Sequence, residues 1–550
     1  MPVPGIQFQI QRPPAPADTP TRADVAVFAG LIARRAKPVS ARLRGQLAEA
    51  GWRPRGSYSV SETRLQALLG IPVAVDGWTE FDALFDWRGR PSVPGATDDL
   101  PCPLGLAVRQ FFLQGGARAW IIRCGDPLPL TDPALDAAAF AARQLTALAG
   151  PVAPGADAQP ILPGFMARST DADPLNAATW TGAAAIYAVD GAAMLLLPDL
   201  PELCSGAAEI APPPPSLPGP PEQFRPCAEP AGDPAPEART ARPNYRAVRL
   251  GRDGYRRWSA ALAHMLVLLG RPRGPAHRRD VMLVGALPLP HGAPEMPSGA
   301  EQWPLDVLAA PGNAGSDTSP LALFDAAAIG NARLQLGYPW LATPDAAACP
   351  EGLQSPEGAL AGLIARTALE VGGFRSTAGR SLSGPITLYP TIPGSAVARG
   401  LPGYADWLGD RLCLFDARRG AIELISDSTM AEDRAWRKGG FSRLIGILLR
   451  ACRYIGDELM FEPSGPALWS RLAGRVTSVL EALRKLGAFE GLSAEECYRV
   501  TCDQTTMTPL DIDAGRVRCE VIVNPASPIE RIVVTLALLE PVPQLTQAAA

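Results

Sequence analysis

The feature that most limits the possible folds is a series of short apolar runs separated by segments with helical periodicity. The run "ADVAVFAGLI" comes first, and "AWII" follows a segment in which Leu104, Val108 and Phe111 recur at helical spacing. Gly115 and Gly116 lie before "AWII", where they favour the end of the helix. Continuous apolar runs of this length are typical of strands buried in a parallel sheet. Their alternation with helices predicts an α/β core.

Two further apolar runs extend this pattern, and a proline-rich segment separates them. The runs "AAMLLLPDL" at 192–200 and "RDVMLVGALPL" at 279–289 both predict buried strands. Between them, residues 211–243 contain twelve prolines in 33 positions. Such a segment offers too few backbone donors and too little apolar surface for a core. We interpret it as a solvated insertion, with a ligand for a proline-binding domain as the alternative.

The last third of the chain has a different pattern. "RLCLFDAR" and "AIELISDS" predict a strand pair around residues 418–420, and apolar positions three or four apart predict helices at 436–455 and 467–486. A predicted hairpin follows, in which strands at 517–523 and 529–539 flank "NPASP". This order of strands, helices and hairpin predicts an α+β unit.

The complete prediction is a multidomain chain with an α/β core, an α+β C-terminal domain and an extended arm at each end. The alternating run "IQFQIQ" gives the first arm the character of an edge or added strand. The predicted divisions are an N-terminal arm at 1–20, an α/β region at 21–204, the proline-rich insertion at 205–245, the rest of the α/β region at 246–410, the C-terminal domain at 411–526 and a C-terminal arm at 527–550.

Charge and hydropathy exclude several broad classes. The net charge is only -4 with a pI near 5.7, so no global field attracts nucleic acid. Only Lys37, Lys438 and Lys485 are lysines among 51 basic residues, which we interpret as a coding bias. The run "AALAHMLVLLG" is shorter than the roughly 20 residues that span a bilayer. The start lacks a signal-peptide pattern, so we expect synthesis in the cytoplasm and no stable membrane insertion.

A search for catalytic and metal-binding motifs finds no strong candidate. The ten cysteines include no Cys-x-x-Cys pair, and His264, His277 and His291 lie 13 and 14 residues apart, which suits no helical metal pair. Phosphate-loop, dinucleotide-binding, nucleophile-elbow and zinc-protease motifs are also missing from the sequence. We therefore expect no cofactor, no metal and no catalytic residue.

Two charged clusters have both a functional and a structural interpretation. Asp503, Asp511 and Asp513 would suit acid–base chemistry or a metal, but they also suit a capped turn before a strand, which we favour. The predicted helix at 436–455 carries several basic residues that would bind an acidic partner or simply face solvent. These basic residues are Arg437, Lys438, Arg443, Arg450 and Arg453.

Several local patterns together resemble one family, the contractile phage tail sheath proteins. The resemblance is strongest in the last 90 residues, and it includes "YPWL" at 338–341, "SPEGALAGLIART" at 355–367, "PTRADVAVFAGL" and "AVRQFFLQGGARAWIIR" upstream. The start "PGIQFQIQRPP" departs from the family because it lacks an acidic pair. The C-terminal matches are Phe461 to Pro463, Leu468, Trp469, Cys502, Asp503, Thr505 to Met507, Asp511 to Asp513, Gly515, Asn524, Pro525, Pro528 and Glu530.

This resemblance implies a structural protein and not an enzyme. Sheath subunits assemble as six-fold rings stacked around an inner tube, with baseplate and cap proteins as further partners, and they contract to drive the tube through an envelope. It also implies assembly in the bacterial cytoplasm into a phage tail or contractile injection particle. The alternatives are a non-contracting baseplate or cap component with the same domain, and a carboxylate-dependent hydrolase.

The resemblance also implies which residues meet other subunits. Both arms are expected to add strands to sheets of neighbouring subunits. The expected strand-exchange residues are Ile6, Phe8, Ile10, Ile529, Ile532, Val533, Val534, Leu536 and Leu538. The residues that we interpret as inner-tube contacts are Arg437, Arg443, Arg450 and Arg453.

Overall fold

A large mixed sheet organises the protein. The structure is a computed structural model that describes residues 22–97, 99–149, 176–210, 244–270, 278–290, 330–392, 408–460, 462–463, 465–513 and 516–526. Its strands are β1 (Ala26–Leu31), β2 (Ala33–Arg34), β3 (Val73–Val75), β4 (Phe85–Asp86), β5 (Ala119–Gly125), β6 (Met194–Leu196), β7 (Arg249–Leu250), β8 (Met282–Ala286), β9 (Leu289–Pro290), β10 (Leu334–Tyr338), β11 (Trp340–Ala342), β12 (Leu353–Gln354), β13 (Thr387–Tyr389), β14 (Cys413–Arg418), β15 (Ala421–Leu424), β16 (Tyr498–Thr501) and β17 (Glu520–Val523).

Eight of these strands form the large sheet, in the order β15-β14-β10-β8-β6-β1-β5-β3. The six inner strands are parallel, and the edge strands β15 and β3 are antiparallel to their neighbours. Chain order runs one way from β1 to β5 and the other way from β6 to β14, so the winding reverses between β1 and β6. The predicted α/β core and its strands β1, β5, β6 and β8 are confirmed.

Both faces of this sheet are buried. Side chains of β1 alternate between two cores, with Val27, Ala29 and Leu31 in one and Ala26 and Phe28 in the other. This explains why the strand sequence is apolar throughout and does not alternate with polar residues.

Helices cover the two faces and build the C-terminal region. Among the described residues they are α1 (Ala41–Glu49), α2 (Glu62–Ala67), α3 (Trp78–Leu84), α4 (Pro103–Leu113), α5 (Ala137–Ala149), α6 (Leu200–Leu203), α7 (Arg252–Gly270), α8 (Glu357–Glu370), α9 (Gly439–Glu458), α10 (Pro466–Lys485), α11 (Ala494–Cys497) and α12 (Pro509–Asp513). The two long C-terminal helices, α9 and α10, match the predicted helices to within three residues at each end. In the part of the chain that the structure describes, no helix is both long and apolar enough to cross a bilayer.

Helices α4 and α8 approach each other closely because two glycines lie between them. A Cβ atom on Gly358 would lie 2.2 Å from the Ala107 carbonyl oxygen, and one on Gly362 would lie 2.6 Å from that of Phe111. Any larger residue at either position would push the helices apart. The motif "EGALAG" therefore fixes how α8 packs under the sheet.

Strands β14 and β15 belong to the large sheet, although the predicted C-terminal domain begins at residue 411. The reason is that β14 pairs in parallel with β10 and buries Cys413, Leu414 and Phe415. The predicted domain limits stay predictions.

The C-terminal region has its own small core. Helices α9 and α10 pack against each other and against the antiparallel hairpin of β16 and β17. Leu444, Ile447, Leu480 and Leu483 lie at the centre of this core. A predicted α+β unit is therefore present, beginning after the large sheet ends.

The described residues that flank the proline-rich insertion meet each other. Ile210 and Tyr245 form an antiparallel bridge, and the Arg246 N–H donates to the Glu209 carbonyl. The insertion therefore begins and ends at one place beside the large sheet. Residues 211–243 themselves lie outside the described residues.

Candidate functional site

The hairpin formed by β16 and β17 packs one face against the C-terminal core and exposes the other face. Tyr498, Val500, Val521 and Val523 pack against the core of α9 and α10, while the Ile522 side chain is 54% exposed. The period of two expected for a strand sorts these side chains onto the two faces. Of the predicted strand at 517–523, residues Glu520–Val523 form β17, which pairs within the same chain with Tyr498–Thr501.

The hydrogen-bond register shows which backbone groups of β17 face away from β16. The Asn524 N–H donates to the Cys497 carbonyl at 2.8 Å. Because antiparallel pairs alternate, Glu520 and Ile522 bond to β16, whereas the N–H and C=O groups of Val521 and Val523 point outward. Within the described residues this sheet has two strands, so the outer edge of β17 has no strand beside it.

The chain after β17 continues along the same domain. The Ala526 N–H donates to the Ala488 carbonyl, and the Glu490 N–H donates to the Asn524 carbonyl. Both bonds lie on the β16 side, so Pro525 is at an outward position where its missing N–H removes no ladder bond. Within the described part of the chain, the segment "NPA" thus leaves the outer edge of β17 uncovered up to Ala526.

The two edges of the β16–β17 hairpin differ in whether their outward backbone groups are already hydrogen-bonded. On β16 the Tyr498 N–H is already bonded to the Ala494 carbonyl at the end of α11. Within the described residues, no backbone hydrogen bond outside the strand pair involves the outward groups of Val521 and Val523. The edge of β17 is therefore the better acceptor for an added strand.

The expected exposed basic face of the helix at 436–455 is wrong for three of its arginines. Arg437, Arg443 and Arg450 are all buried. Arg453 is nearly so, with a side chain that is 18% exposed. Arg443, Arg450 and Arg453 contact groups of their own chain, as the following paragraphs describe, because α9 lies with this stripe against the large sheet. Arg437 precedes α9 and donates to the Ala431 carbonyl. The contact of these arginines with an inner tube stays a prediction.

Arg443 forms a buried ion pair with Asp427. Its Nη2 lies 2.6 Å from Asp427 Oδ2, and its other donors reach the carbonyls of Gly373 and Arg375. Asp427 also accepts bonds from the Thr377 N–H and the Gln335 side chain. Burial acts to raise the pKa of Asp427, but the guanidinium group and these bonds hold it below its usual range.

A second buried cluster surrounds Asp280. Arg453 Nη2 lies 2.7 Å from Asp280 Oδ1, Arg278 Nε lies 3.4 Å from the same oxygen, and Arg450 Nη1 donates to the Asp280 carbonyl at 2.8 Å. Burial acts to raise the pKa of Asp280, but the three guanidinium groups lower it overall. We call Arg443, Arg450, Arg453, Asp427 and Asp280 the arginine seam, because they join α9 to the sheet.

One sequence signal marks the buried side of α9. Glycines and arginines alternate at steps of three and four along one stripe, and a Cβ on Gly446 would lie 2.7 Å from the Asp280 carbonyl oxygen. Glycines on a helix stripe indicate close approach to another element, whereas a solvated face does not require them. The stripe consists of Gly439, Arg443, Gly446, Arg450 and Arg453.

The acidic cluster near residue 510 acts as turn and helix caps. Asp503 Oδ1 accepts from the Thr505 N–H at 2.8 Å, and Asp511 Oδ2 accepts from the Thr508 hydroxyl at 2.7 Å. Both bonds lower the pKa of their carboxyl groups. The favoured interpretation as a capped turn is confirmed for these two residues. Across the described residues no group of three potential ligands is placed to hold a metal.

The predicted strand-exchange residues lie outside the described residues. This holds for both arms and for the predicted strand at 529–539. The residues concerned are Ile6, Phe8, Ile10, Ile529, Ile532, Val533, Val534, Leu536 and Leu538.

Comparisons with known proteins identify the fold. No protein-family profile matches the chain, and no curated protein matches its sequence. Solved structures do match over nearly the whole length. A chain of the anti-feeding prophage baseplate in the contracted state has 19% identity and a TM-score of 0.53, covering 98% of this chain and 99% of its own.

Two further solved structures match over nearly the whole chain. A chain of the six-fold symmetrised anti-feeding prophage baseplate has 15% identity and a TM-score of 0.50, and covers 98% of this chain and 99% of its own. A chain of the sheath complex of PVC, an extracellular contractile injection system, in the contracted state has 14% identity and a TM-score of 0.50, with 98% of each chain covered. The present chain therefore has the fold of contractile sheath proteins, and the resemblance inferred from sequence is confirmed at the level of the fold.

Proposed function

We propose that this protein is a sheath subunit that polymerises as stacked six-fold rings around an inner tube and contracts to drive that tube through an envelope. The observation that carries this proposal is the shared fold over 98% of the chain with a subunit of a contracted sheath complex. The match extends over the neighbour's full length as well, so the chain resembles a whole subunit and not one borrowed domain.

Strand exchange is the proposed mode of assembly. The outer edge of β17, with the outward backbone groups of Val521 and Val523, is suited to accept a strand from a neighbouring subunit. The proposed donors are the two arms, through the residues near Ile6 and Ile529 that the sequence analysis named. Each added strand would bury the edge that the described residues of the protomer leave uncovered.

Side-chain burial has to supply most of the binding free energy of an exchanged arm. A backbone hydrogen bond contributes about 1 kcal/mol net, whereas ordering each arm residue costs about 1 to 2 kcal/mol. Burying an apolar side chain stabilises by roughly 1.5 to 3 kcal/mol. The run "IERIVVTLALL" has enough such residues to offset the ordering cost. Arms held in this way would keep subunits connected while their globular bodies move during contraction.

The inner tube stays a proposed partner, but its contact is not proposed through Arg437, Arg443 or Arg450. Those guanidinium groups are buried against the subunit's own carbonyls and carboxylates. A tube would have to pull Arg443 and Arg450 out of the arginine seam to bind them, at the cost of leaving buried carboxylates unpaired.

A baseplate component that does not contract is the second candidate. It is favoured by the two neighbours that come from baseplate structures. The hydrolase alternative has no comparable support, because Asp503 and Asp511 are engaged as caps.

Negative-stain electron microscopy of the purified chain separates the two candidates. Striated hollow tubes are the expected result for a sheath subunit, because no inner tube is present to limit the number of stacked rings. Discs or single rings at every protein concentration would favour the baseplate component instead. Monomers alone at high concentration would contradict both.

A further inference from the structure

Two cysteines lie opposite each other where the β16–β17 hairpin joins its connecting segment. The last pair of the ladder is Thr501 with Glu520, and one step further the same register places Cys502 opposite Cys519. Because Glu520 bonds to β16 across the pair, the next position along the strands is a non-hydrogen-bonded one. In such pairs the Cα atoms are about 4.5 Å apart, which lies within the roughly 4.4 to 6.8 Å that a disulfide spans.

Both cysteine side chains lie on the inner side of the hairpin, in a small apolar cluster. Cys502 is 9% exposed and belongs to the cluster of Trp469 and Met507, and the half-buried Cys519 packs against the same cluster. The Cys519 thiol donates a hydrogen bond to the Cys502 sulfur. The two sulfur atoms are therefore already neighbours, and joining them requires a side-chain movement rather than a rearrangement of the strands.

Burial determines how these thiols react. It raises the pKa of Cys519 to about 12, and the nearby Cys502 and Cys452 thiols add to this effect. Burial also raises the pKa of Cys502, with the bond from Cys519 opposing it. Both thiols therefore stay protonated at neutral pH, and oxidation is slow because the thiolate is the attacking form. Such a pair suits a structural bond that forms slowly and persists, and not a catalytic thiol that turns over.

We propose that Cys502 and Cys519 form a disulfide that cross-links β16 to β17 when the folded chain meets a small oxidised disulfide such as glutathione disulfide. The more exposed Cys519 thiol loses its proton and attacks one sulfur of glutathione disulfide, which releases the first glutathione. Cys502 then loses its proton and attacks the Cys519 sulfur of the mixed disulfide, which releases the second glutathione. The protein gives up two electrons and two protons, and the two glutathione molecules take them up as thiols.

The cross-link would hold β17 at the end where the strand begins. The other end is already held, because the Asn524 N–H donates to the Cys497 carbonyl and the Ala526 N–H donates to the Ala488 carbonyl. With both ends tied, β17 would stay on β16 when a strand added to its outer edge is pulled. This consequence rests on the proposed strand exchange, whereas formation of the disulfide does not.

Oxidation of the folded full-length chain with glutathione disulfide tests the proposal, with alkylation of the remaining thiols and peptide mass spectrometry as the readout. The expected product is a cross-linked pair of peptides containing Cys502 and Cys519, lighter than the two reduced peptides by two hydrogen atoms. Cys519→Ser should abolish this product. Cys452→Ser is the matched control, because it removes another thiol near Cys519, and it should leave the product unchanged.

Hydrogen exchange shows whether the disulfide stabilises the hairpin. The β17 amides that bond to β16 are expected to exchange at least about tenfold more slowly in the oxidised protein than in the reduced one, because closing the loop at 503–518 restricts the opened state. Reduction with dithiothreitol should restore the original rate. The same oxidant should leave the exchange of the Cys519→Ser variant unaltered.

Three results would overturn the proposal. The first is recovery of both cysteines as alkylated thiols after prolonged oxidation of the folded chain. The second is a cross-link from Cys519 to Cys452 or to another copy of the chain. The third is unaltered exchange in β17 although the cross-link between Cys502 and Cys519 has formed. None of these readouts requires polymerisation, so a failure here is distinguishable from a failure of the proposed function.

Discussion

At the scale of single residues, the arginine seam shows what sequence patterns can and cannot predict. The stripe of arginines on α9 was visible, but its partners Asp427 and Asp280 are remote in the chain and carry no local signal. A basic stripe is usually solvated, so the pattern favoured a surface. Only the interleaved glycines point to burial, and they do so without identifying the carboxylates. By contrast, the caps at Asp503 and Asp511 were predictable because their partners lie two or three residues away.

Arg443→Met is expected to destabilise the protein by about 3 to 5 kcal/mol, because it leaves the buried Asp427 carboxylate without its cation. Denaturant unfolding measures this change. Arg475→Met is the matched control, since the pair that Arg475 of α10 forms with Glu458 of α9 is about half exposed and contributes about 0 to 1 kcal/mol. The double variant Arg443→Met with Asp427→Asn should recover part of the loss. Equal effects of Arg443→Met and Arg475→Met would show that the seam is not a buried pair.

Asp199 lies where the winding of the sheet reverses, between the ends of β1 and β6. Its Oδ2 accepts the Leu31 N–H at 2.8 Å, and Gly30 is required beside it because a Cβ there would lie 2.0 Å from the same oxygen. Burial raises the pKa of Asp199 to about 8, with the Leu31 bond opposing this and the nearby Glu202 adding to it. Arg90 lowers it and Glu357 raises it by smaller amounts.

Replacing Asp199 by Asn should change how stability depends on pH. An unfolded aspartate has a pKa of about 3.9, so between about pH 4 and pH 8 the folded protein holds a proton that the unfolded chain has released. Wild-type stability therefore falls as pH rises through this window. Asp199→Asn retains the acceptor without titrating, so its advantage over wild type should grow up to about pH 8 and then level off. Urea unfolding of both proteins measures the difference, with the exposed Asp253→Asn as control. A difference that is constant with pH would contradict this account.

At the scale of elements, long or continuous patterns were predictable and short ones were not. Strands β1, β5, β6 and β8 and helices α9 and α10 have uninterrupted apolar runs or stripes. Strands β3 and β10 were missed because "VAV" and "LQLGY" carry too little pattern, and their strand conformation depends on pairing with β5 and β8. The position of β14 and β15 in the large sheet was missed for a related reason. The turn between β14 and β15 is compatible with either domain. Only the pairing of β14 with β10 places the two strands in the large sheet.

The contact between α4 and α8 predicts opposite effects for two glycine-to-alanine substitutions. Gly358→Ala would place a methyl group 2.2 Å from the Ala107 carbonyl oxygen, so the helices must separate and the protein should lose several kcal/mol of stability. Gly474→Ala, in α10, meets nothing within 4 Å and should stabilise by about 0.5 to 1 kcal/mol through helix propensity. Thermal unfolding of the two variants measures the contrast. A neutral Gly358→Ala would mean that the two helices are not in close contact.

The register of β17 predicts that proline substitutions at two neighbouring positions disrupt different interactions. The Val521 N–H points outward, so Val521→Pro should leave the pairing with β16 in place while blocking an added strand. The Ile522 N–H bonds to β16, so Ile522→Pro should disrupt the hairpin itself. Circular dichroism and thermal unfolding report the fold, and sedimentation reports assembly. Normal assembly of Val521→Pro would exclude this edge as the acceptor.

At the scale of the whole molecule, the central claim is that a folded subunit polymerises through its arms. The claim combines the shared fold, which spans 98% of the chain, with a hairpin edge that the described residues leave uncovered. The last described residue, Ala526, donates its N–H to the Ala488 carbonyl in the same C-terminal region. The described residues up to Ala526 form the small C-terminal core, and the arm at 527–550 is the proposed donor to another subunit.

Deleting residues 527–550 tests this claim most directly. The truncated chain and the full-length chain are compared by analytical ultracentrifugation at matched concentration, with circular dichroism and thermal unfolding to establish that both are folded. The account predicts a folded, soluble monomer from the truncated chain and large polymers from the full-length chain. Polymers that persist after the deletion would contradict assembly through the C-terminal arm.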